Sequence, residues 1–218
     1  MTRPAGPGGG PTVHLVRHGQ STWNLQHRVQ GQRNEPALTD RGRRQAIAAA
    51  RALAGVRPAL LLTSDLTRST QTADIIGRAL RLQPIHTTLL REQALGELEG
   101  LSTQDASTRL TGVDLADPAV RYAGGESRDD VAARIGELFT SSMINALTMT
   151  DEIVLVSHGD TIRIAIALLL GENQAEAPWR TIDNGSVTTV IPRTFTNPGR
   201  PTVPTAAAPG ASSGLHDR

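Results

Sequence analysis

Leu15-Val16-Arg17-His18-Gly19 is the stretch on which the reading of this 218-residue chain turns. It closes a largely apolar run, Val13 to Val16, with a β-branched valine at each end. The run stops at a cation, an imidazole and a glycine. That is the pattern of a buried strand whose carboxyl end delivers Arg17 and His18 to a loop. In open α/β sheets, ligands bind outside the carboxyl ends of the strands. Gly19 is expected to let the backbone turn sharply and to admit a ligand close to it.

Two later stretches repeat the arrangement. Leu60-Leu61-Leu62-Thr63 runs into Ser64-Asp65, with Arg68 in the helix start that follows, and Ile153-Val154-Leu155-Val156 runs into Ser157-His158-Gly159. As parallel neighbours in an α/β sheet, the three runs would bring two arginines and two histidines to one spot. Guanidinium forks bind phosphate bidentately, and an imidazole either donates to it or attacks it.

At this point the sequence resembles a known family. Arg17-His18-Gly19, the segment Ser64…Arg68…Thr72, Arg91-Glu92 ahead of Gly96…Glu99-Gly100, and Ser157-His158-Gly159 are similar to the motifs of the histidine phosphatase superfamily, in its phosphoglycerate-mutase-like branch. The resemblance runs from about Thr12 to Ile191. It implies a three-layer α/β/α sandwich with a mostly parallel central sheet, the phosphoglycerate mutase-like fold. It also implies that Asn24 donates its amide to a phosphate oxygen, where the residues alone leave an ordinary helix cap as the other reading. Glu92, four residues before Gly96, matches the family's acid, and Gly124-Gly125-Glu126-Ser127 resembles the phosphatase members.

Composition narrows the chemistry. Aromatic content is 2%, so the core must be aliphatic. The formal net charge of +1 implies no pull on nucleic acid or on a membrane surface. No apolar run reaches the ~18 residues of a membrane span, and Met1 to Gly10 lacks the apolar segment of a secretory signal, so a cytoplasmic protein is expected. The chain has no cysteine, which removes disulfides, thiolate metal sites and a cysteine nucleophile. It has no lysine either, which removes a Walker-type phosphate loop and Schiff-base chemistry. Phosphate must be handled by Arg, His and backbone amides. The histidines show no metal-ligand spacing, and neither a metal nor a cofactor is expected.

Along the chain, residues 1–11 are expected to form a flexible Gly/Pro-rich tail, 12–193 one domain, and 194–218 a disordered tail. Arg28 to Pro36 reads as a loop, with no catalytic role attached to Asn34 or Glu35. Thr39 is the expected N-cap of a helix that Gly55 ends. A second helix should run from about Leu66 to Leu80, capped by Ser64 or Asp65, its amino end facing the pocket. Ile85 to Leu90 reads as a strand and Val187 to Ile191 as the last one. Ser127 should cap a helix carrying Val131, Ile135, Leu138 and Phe139 inward, and a helix should begin near Asp160. His14 is expected to be packed and hydrogen-bonded, His27 to lie near the pocket, and His86 and His216 to be structural or exposed.

The expected chemistry is phosphoryl transfer through a phosphohistidine. One nitrogen of His18 attacks phosphorus while a nearby carbonyl holds the other and fixes the tautomer. Arg17, Arg68 and His158 surround the non-bridging oxygens. Glu92 protonates the leaving alkoxide and then deprotonates the attacking water; Glu97 and Glu99 are its rivals. The substrate class is a small phosphomonoester, a sugar phosphate or a phosphoglycerate-type metabolite, including a glucosylated one. A 2,3-bisphosphoglycerate-dependent mutase is the alternative. Against it, Leu101 to Arg121 is short and holds only Arg109 and Arg121, where mutases carry a longer insertion with an arginine pair. A non-catalytic phosphate-binding module is the third reading, and a homodimer is left open.

Overall fold

In the computed structural model, residues 10–193 are described. The expected flexible tails therefore fall almost wholly outside the described residues, as does His216. Strands β1 (Thr12–Arg17), β2 (Leu60–Ser64), β3 (Ile85–Thr87), β4 (Glu152–Ser157) and β5 (Val187–Val190) form one sheet in the order β3-β2-β4-β1-β5. The first four are parallel and β5 runs antiparallel along β1. The three apolar runs are thus neighbours, with β4 in the middle. Val16 pairs with Val156 and Arg17 with Ser157, so the carboxyl ends of β1 and β4 lie level.

The helices are α1 (Thr22–Leu25), α2 (Asp40–Ala52), α3 (Thr67–Leu80), α4 (Thr103–Arg109), α5 (Arg128–Thr140), α6 (Ser142–Asn145) and α7 (Gly159–Leu170). Strand side chains alternate between faces, and this splits the core in two. Val13, Leu15, Leu62, Ile153 and Leu155 pack with Val131, Ile135 and Leu138 of α5 and Ile162, Ala165 and Ile166 of α7. Val16, Leu61, Val154 and Val156 pack with Ala49 and Ala50 of α2 and Ala73 and Ile76 of α3. Helices therefore cover both faces, giving the three-layer α/β/α sandwich.

Local expectations hold in part. Thr39 caps α2, accepting from the Gly42 amide, and Ser127 caps α5 in a box with Asp130. Helix α2 stops at Ala52, ahead of Gly55. The segment 85–90 is strand only through Thr87; Thr88–Leu90 tightens into a single 3₁₀ turn. Helix α3 spans the expected residues, with Leu66 at its N-cap position, but neither Ser64 nor Asp65 caps it. Its Thr67 amide and hydroxyl instead donate to Asn34 Oδ1 at 2.7 and 2.8 Å. Ser64 and Asp65 have other work, described below. His14 is buried, bonded to the Thr189 hydroxyl at 2.9 Å and paired with Glu152 at 3.5 Å. Gly19 is required by packing as well: a Cβ there would stand 2.2 Å from the Gly42 carbonyl oxygen of α2.

Candidate active site

Each strand end contributes one part of the site. From β1 come Arg17 and His18, from the first turn of α3 Arg68, and from the end of β4 His158. The His18 and His158 rings stand edge to face with centroids 5.1 Å apart. Both are buried, and Arg68 is 1% exposed.

His18 Nδ1 donates to its neighbour, the Gly19 carbonyl, at 2.7 Å. That bond places the proton on Nδ1 and leaves the Nε2 lone pair available. Burial pushes the His18 pKa well below the ordinary histidine value, and the charges of Arg68 and Arg17 push in the same direction. The ring is therefore a neutral imidazole at neutral pH, the nucleophilic form of a histidine. The loop is fixed from both sides: the Gly19 amide donates to Thr72 Oγ1 at 3.1 Å, and Asn184 donates to the His18 carbonyl at 3.1 Å.

The two arginines are held by backbone carbonyls rather than carboxylates. Arg17 donates to the Ile182 carbonyl at 2.6 Å, and Arg68 to those of Gly31 and Arg33 at 2.7 and 2.8 Å. Burial lowers the pKa of Arg17, and it brings Arg68 down to about 10. A buried cation without an anionic partner costs several kcal/mol of desolvation. The Nε atoms of both arginines and His158 Nδ1 are buried with no protein partner. His158 is anchored through its other nitrogen, Nε2, to Ser64 Oγ at 2.9 Å and Ser69 Oγ at 3.3 Å. Two unpartnered guanidinium Nε–H groups and a free imidazole nitrogen, gathered about a neutral imidazole, fit a tetrahedral oxyanion.

Glu92 completes the group. Its Oε1 accepts from the Gln93 amide at 3.1 Å, the Thr161 amide at 3.2 Å and the Thr161 hydroxyl at 3.1 Å, while Oε2 meets only the Asp160 amide, at 3.4 Å. One oxygen is thus anchored on the amino end of α7, and the other has a single long contact. Arg91 steadies the same turn through a bidentate pair with Asp65 at 2.7 and 2.5 Å. Beside it, Asp160 is pushed up to about 6 by burial and by the negative charge of Glu92, against the pull of Arg163 and Arg17. The rivals of Glu92 are occupied elsewhere. Glu99 Oε1 accepts from the Gln32 and Leu95 amides, and Glu97 is exposed beside Arg109.

Asn24 has a divided role. Its Oδ1 accepts from the Ser21 amide and hydroxyl in a capping box, and from Asn184 at 3.3 Å. The cap reading is therefore correct for its oxygen, while its amide group has no protein partner among the described residues. Sequence reasoning missed the holders of the site: Ser64, Ser69, Thr161, Asn184 and the carbonyls of Gly31, Arg33 and Ile182. A hydroxyl near a motif is too common a signal to single out, and a carbonyl has no side-chain signal. His27 and His86 are exposed. Among the described residues no three His, Asp or Glu side chains gather as metal ligands would.

Residues 13–197 match the family model for the histidine phosphatase superfamily, branch 1. The chain belongs to that superfamily. Among its curated relatives, a glucosyl-3-phosphoglycerate phosphatase of Mycolicibacterium vanbaalenii is 41% identical over 167 residues, covering 72% of this chain and 73% of the relative. A probable phosphoglycerate mutase of Proteus mirabilis is 37% identical over 164 residues, 73% of this chain and 74% of the relative. A solved mycobacterial glucosyl-3-phosphoglycerate phosphatase in complex with VO3 superposes with a TM-score of 0.73 at 34% identity, covering 82% of this chain and 92% of that one. This histidine phosphatase is thus an enzyme with the sandwich fold of its relatives, and phosphomonoester hydrolysis is the activity for which its phosphatase relatives are named.

Two predictions arise from the buried charges. His158, like His18, is held well below the ordinary value of 6.5, first by burial and next by Arg68. Below pH ~6.5 the unfolded chain takes up protons at both histidines that the folded chain refuses, so stability falls as pH falls, by up to about 1.4 kcal/mol per histidine per pH unit. Thermal melts between pH 7.5 and 5 should show this slope, and His158→Gln should make it shallower. An unchanged slope would contradict the neutral, buried state of the ring. Separately, inorganic phosphate at 100 times its Kd should stabilise the protein by about 2.7 kcal/mol. Arg68→Met should remove that phosphate-dependent rise in Tm.

Proposed function

We propose that this chain is a metal-independent phosphatase that hydrolyses a small phosphomonoester of the phosphoglycerate type, glucosyl-3-phosphoglycerate being the first candidate, through a phosphohistidine on His18. The observation that carries the reading is the neutral His18 imidazole, its Nδ1 tied to the Gly19 carbonyl, set among three unpartnered buried nitrogens of Arg17, Arg68 and His158. In this reading Arg17, Arg68, His158 and the Asn24 amide hold the non-bridging oxygens while His18 Nε2 attacks in line with the leaving oxygen. Glu92 passes its proton from Oε2 to that oxygen, then takes one from the water that cleaves the phosphohistidine.

The mutase reading also has relatives behind it. A mutase must hold a second phosphate, and the two arginines available in the 101–121 segment are engaged at the surface: Arg109 with Glu97 at 4.0 Å and Arg121 with Asp130 at 2.6 Å. Release of inorganic phosphate from glucosyl-3-phosphoglycerate and 3-phosphoglycerate, with 2-phosphoglycerate formation followed in parallel, separates the two. Phosphate release exceeding isomerisation by about 100-fold is expected; the reverse ratio would establish the mutase. No helix among the described residues is long and apolar enough to cross a membrane. A cytoplasmic location and a homodimer complete the proposal, the latter checked by light scattering.

A further inference from the structure

We propose that Arg128 recognises a carboxylate on the alcohol part of the substrate, within a cavity that opens beside Glu92; the inference rests on the phosphatase reading above. The cavity, of about 260 Å³, is walled by Gln93, Tyr122, Arg128, Asp160, Arg163 and Trp179 among others. Two of its wall residues, Gln93 and Asp160, border the Glu92 carboxylate. Gln93 follows Glu92 in the chain, and the Asp160 amide donates to the Glu92 carboxylate. At Gly159 a Cβ would stand 3.7 Å from the guanidinium groups of both Arg17 and Arg163, so this glycine lies between the phosphate donors and the cavity wall.

The charges of that wall do not balance. Arg163 is bound to Asp160 and stacks on the Trp179 ring at 3.9 Å. Arg180 is bound to Glu172 at 2.6 Å. Arg128 has no carboxylate partner among the described residues. It donates to the Gln174 carbonyl at 3.4 Å and to the Ala116 carbonyl, and its Nε is buried without a partner. Two neutral carbonyls hold the guanidinium in place and leave its charge uncompensated. Tyr122, Arg128 and Asp160 line the same cavity, so the spare cation shares a chamber with the residue whose amide binds Glu92. A sugar or glycerol hydroxyl would not neutralise such a group. A carboxylate does, by accepting from the fork in a charge-assisted bond.

The test is the ratio of kcat/KM for 3-phosphoglycerate to that for glycerol 3-phosphate, which lacks the carboxylate. The wild-type ratio is expected to be about tenfold or more in favour of the acid, and Arg128→Gln should reduce it about tenfold. A variant that merely loosens the cavity wall would slow both substrates alike and leave the ratio unchanged, which would overturn the proposal. Should Arg128→Gln fail to fold, Arg128→Met is measured in its place with the same expected loss, and a wild-type ratio near one rejects carboxylate recognition outright. If the wild type releases phosphate from neither compound nor from p-nitrophenyl phosphate, the phosphatase reading itself fails. Normal aryl phosphate turnover with a ratio near one sinks only the assignment of Arg128.

Discussion

Replacing His18 with alanine should lower kcat/KM for every phosphomonoester by on the order of 10⁴-fold or more, whatever the leaving group, because it removes the atom that forms the new bond to phosphorus. The neighbouring imidazole, His158, is a poor substitute, because its Nε2 is tied to Ser64 and Ser69. The variant should keep its fold, since the His18 side chain makes one hydrogen bond, to Gly19. It should also keep much of its phosphate-dependent rise in Tm, because Arg17 and Arg68 remain. The measurement is labelling with radioactive substrate, quenched in alkaline denaturant: wild-type protein should trap an acid-labile, base-stable phosphoryl group and the variant none. Ordinary turnover by His18→Ala, or equal labelling of both proteins, would remove His18 from the mechanism.

The sheet and the four converging side chains were legible because each rests on a short local pattern: an apolar run of strand length followed at once by polar groups. Parallel neighbours in one sheet then have their ends on one side, so Arg17, Arg68 and His158 had little freedom to lie apart. The failures share a cause as well. Asn34 caps α3 from 33 residues away, a tertiary contact that displaces the nearby Ser64 and Asp65 from the expected cap. Those two residues are thereby available to hold His158 and Arg91. The bare Cα of Gly19 answers to α2, which no local reading of Arg-His-Gly reveals. What a sequence pattern shows is which groups arrive at a strand end. What holds them there comes from distant loops, through backbone carbonyls that look the same in every sequence.

Glu92→Gln tests the proton-transfer assignment by a difference between substrates. Glutamine preserves the shape and keeps an acceptor for the Gln93 amide and for Thr161, but it has no proton to give. An alkyl phosphate expels a strongly basic alkoxide and needs that proton, so its kcat/KM should fall by about 10²–10⁴-fold. An aryl phosphate such as p-nitrophenyl phosphate expels a weakly basic phenolate, and its kcat/KM, which reports steps only through formation of the phosphohistidine, should fall by about threefold or less. The second half-reaction still lacks its base, because water must now attack the phosphohistidine unaided. Rapid mixing of Glu92→Gln with p-nitrophenyl phosphate should therefore give a burst of p-nitrophenol equal to the enzyme concentration, followed by slow turnover. A burst together with the selective loss on alkyl substrates assigns both proton transfers to one carboxyl group. Equal losses for the two substrate types would shift the role to another acid, and Asp160, held up to about 6 beside Glu92, is the group placed to take it.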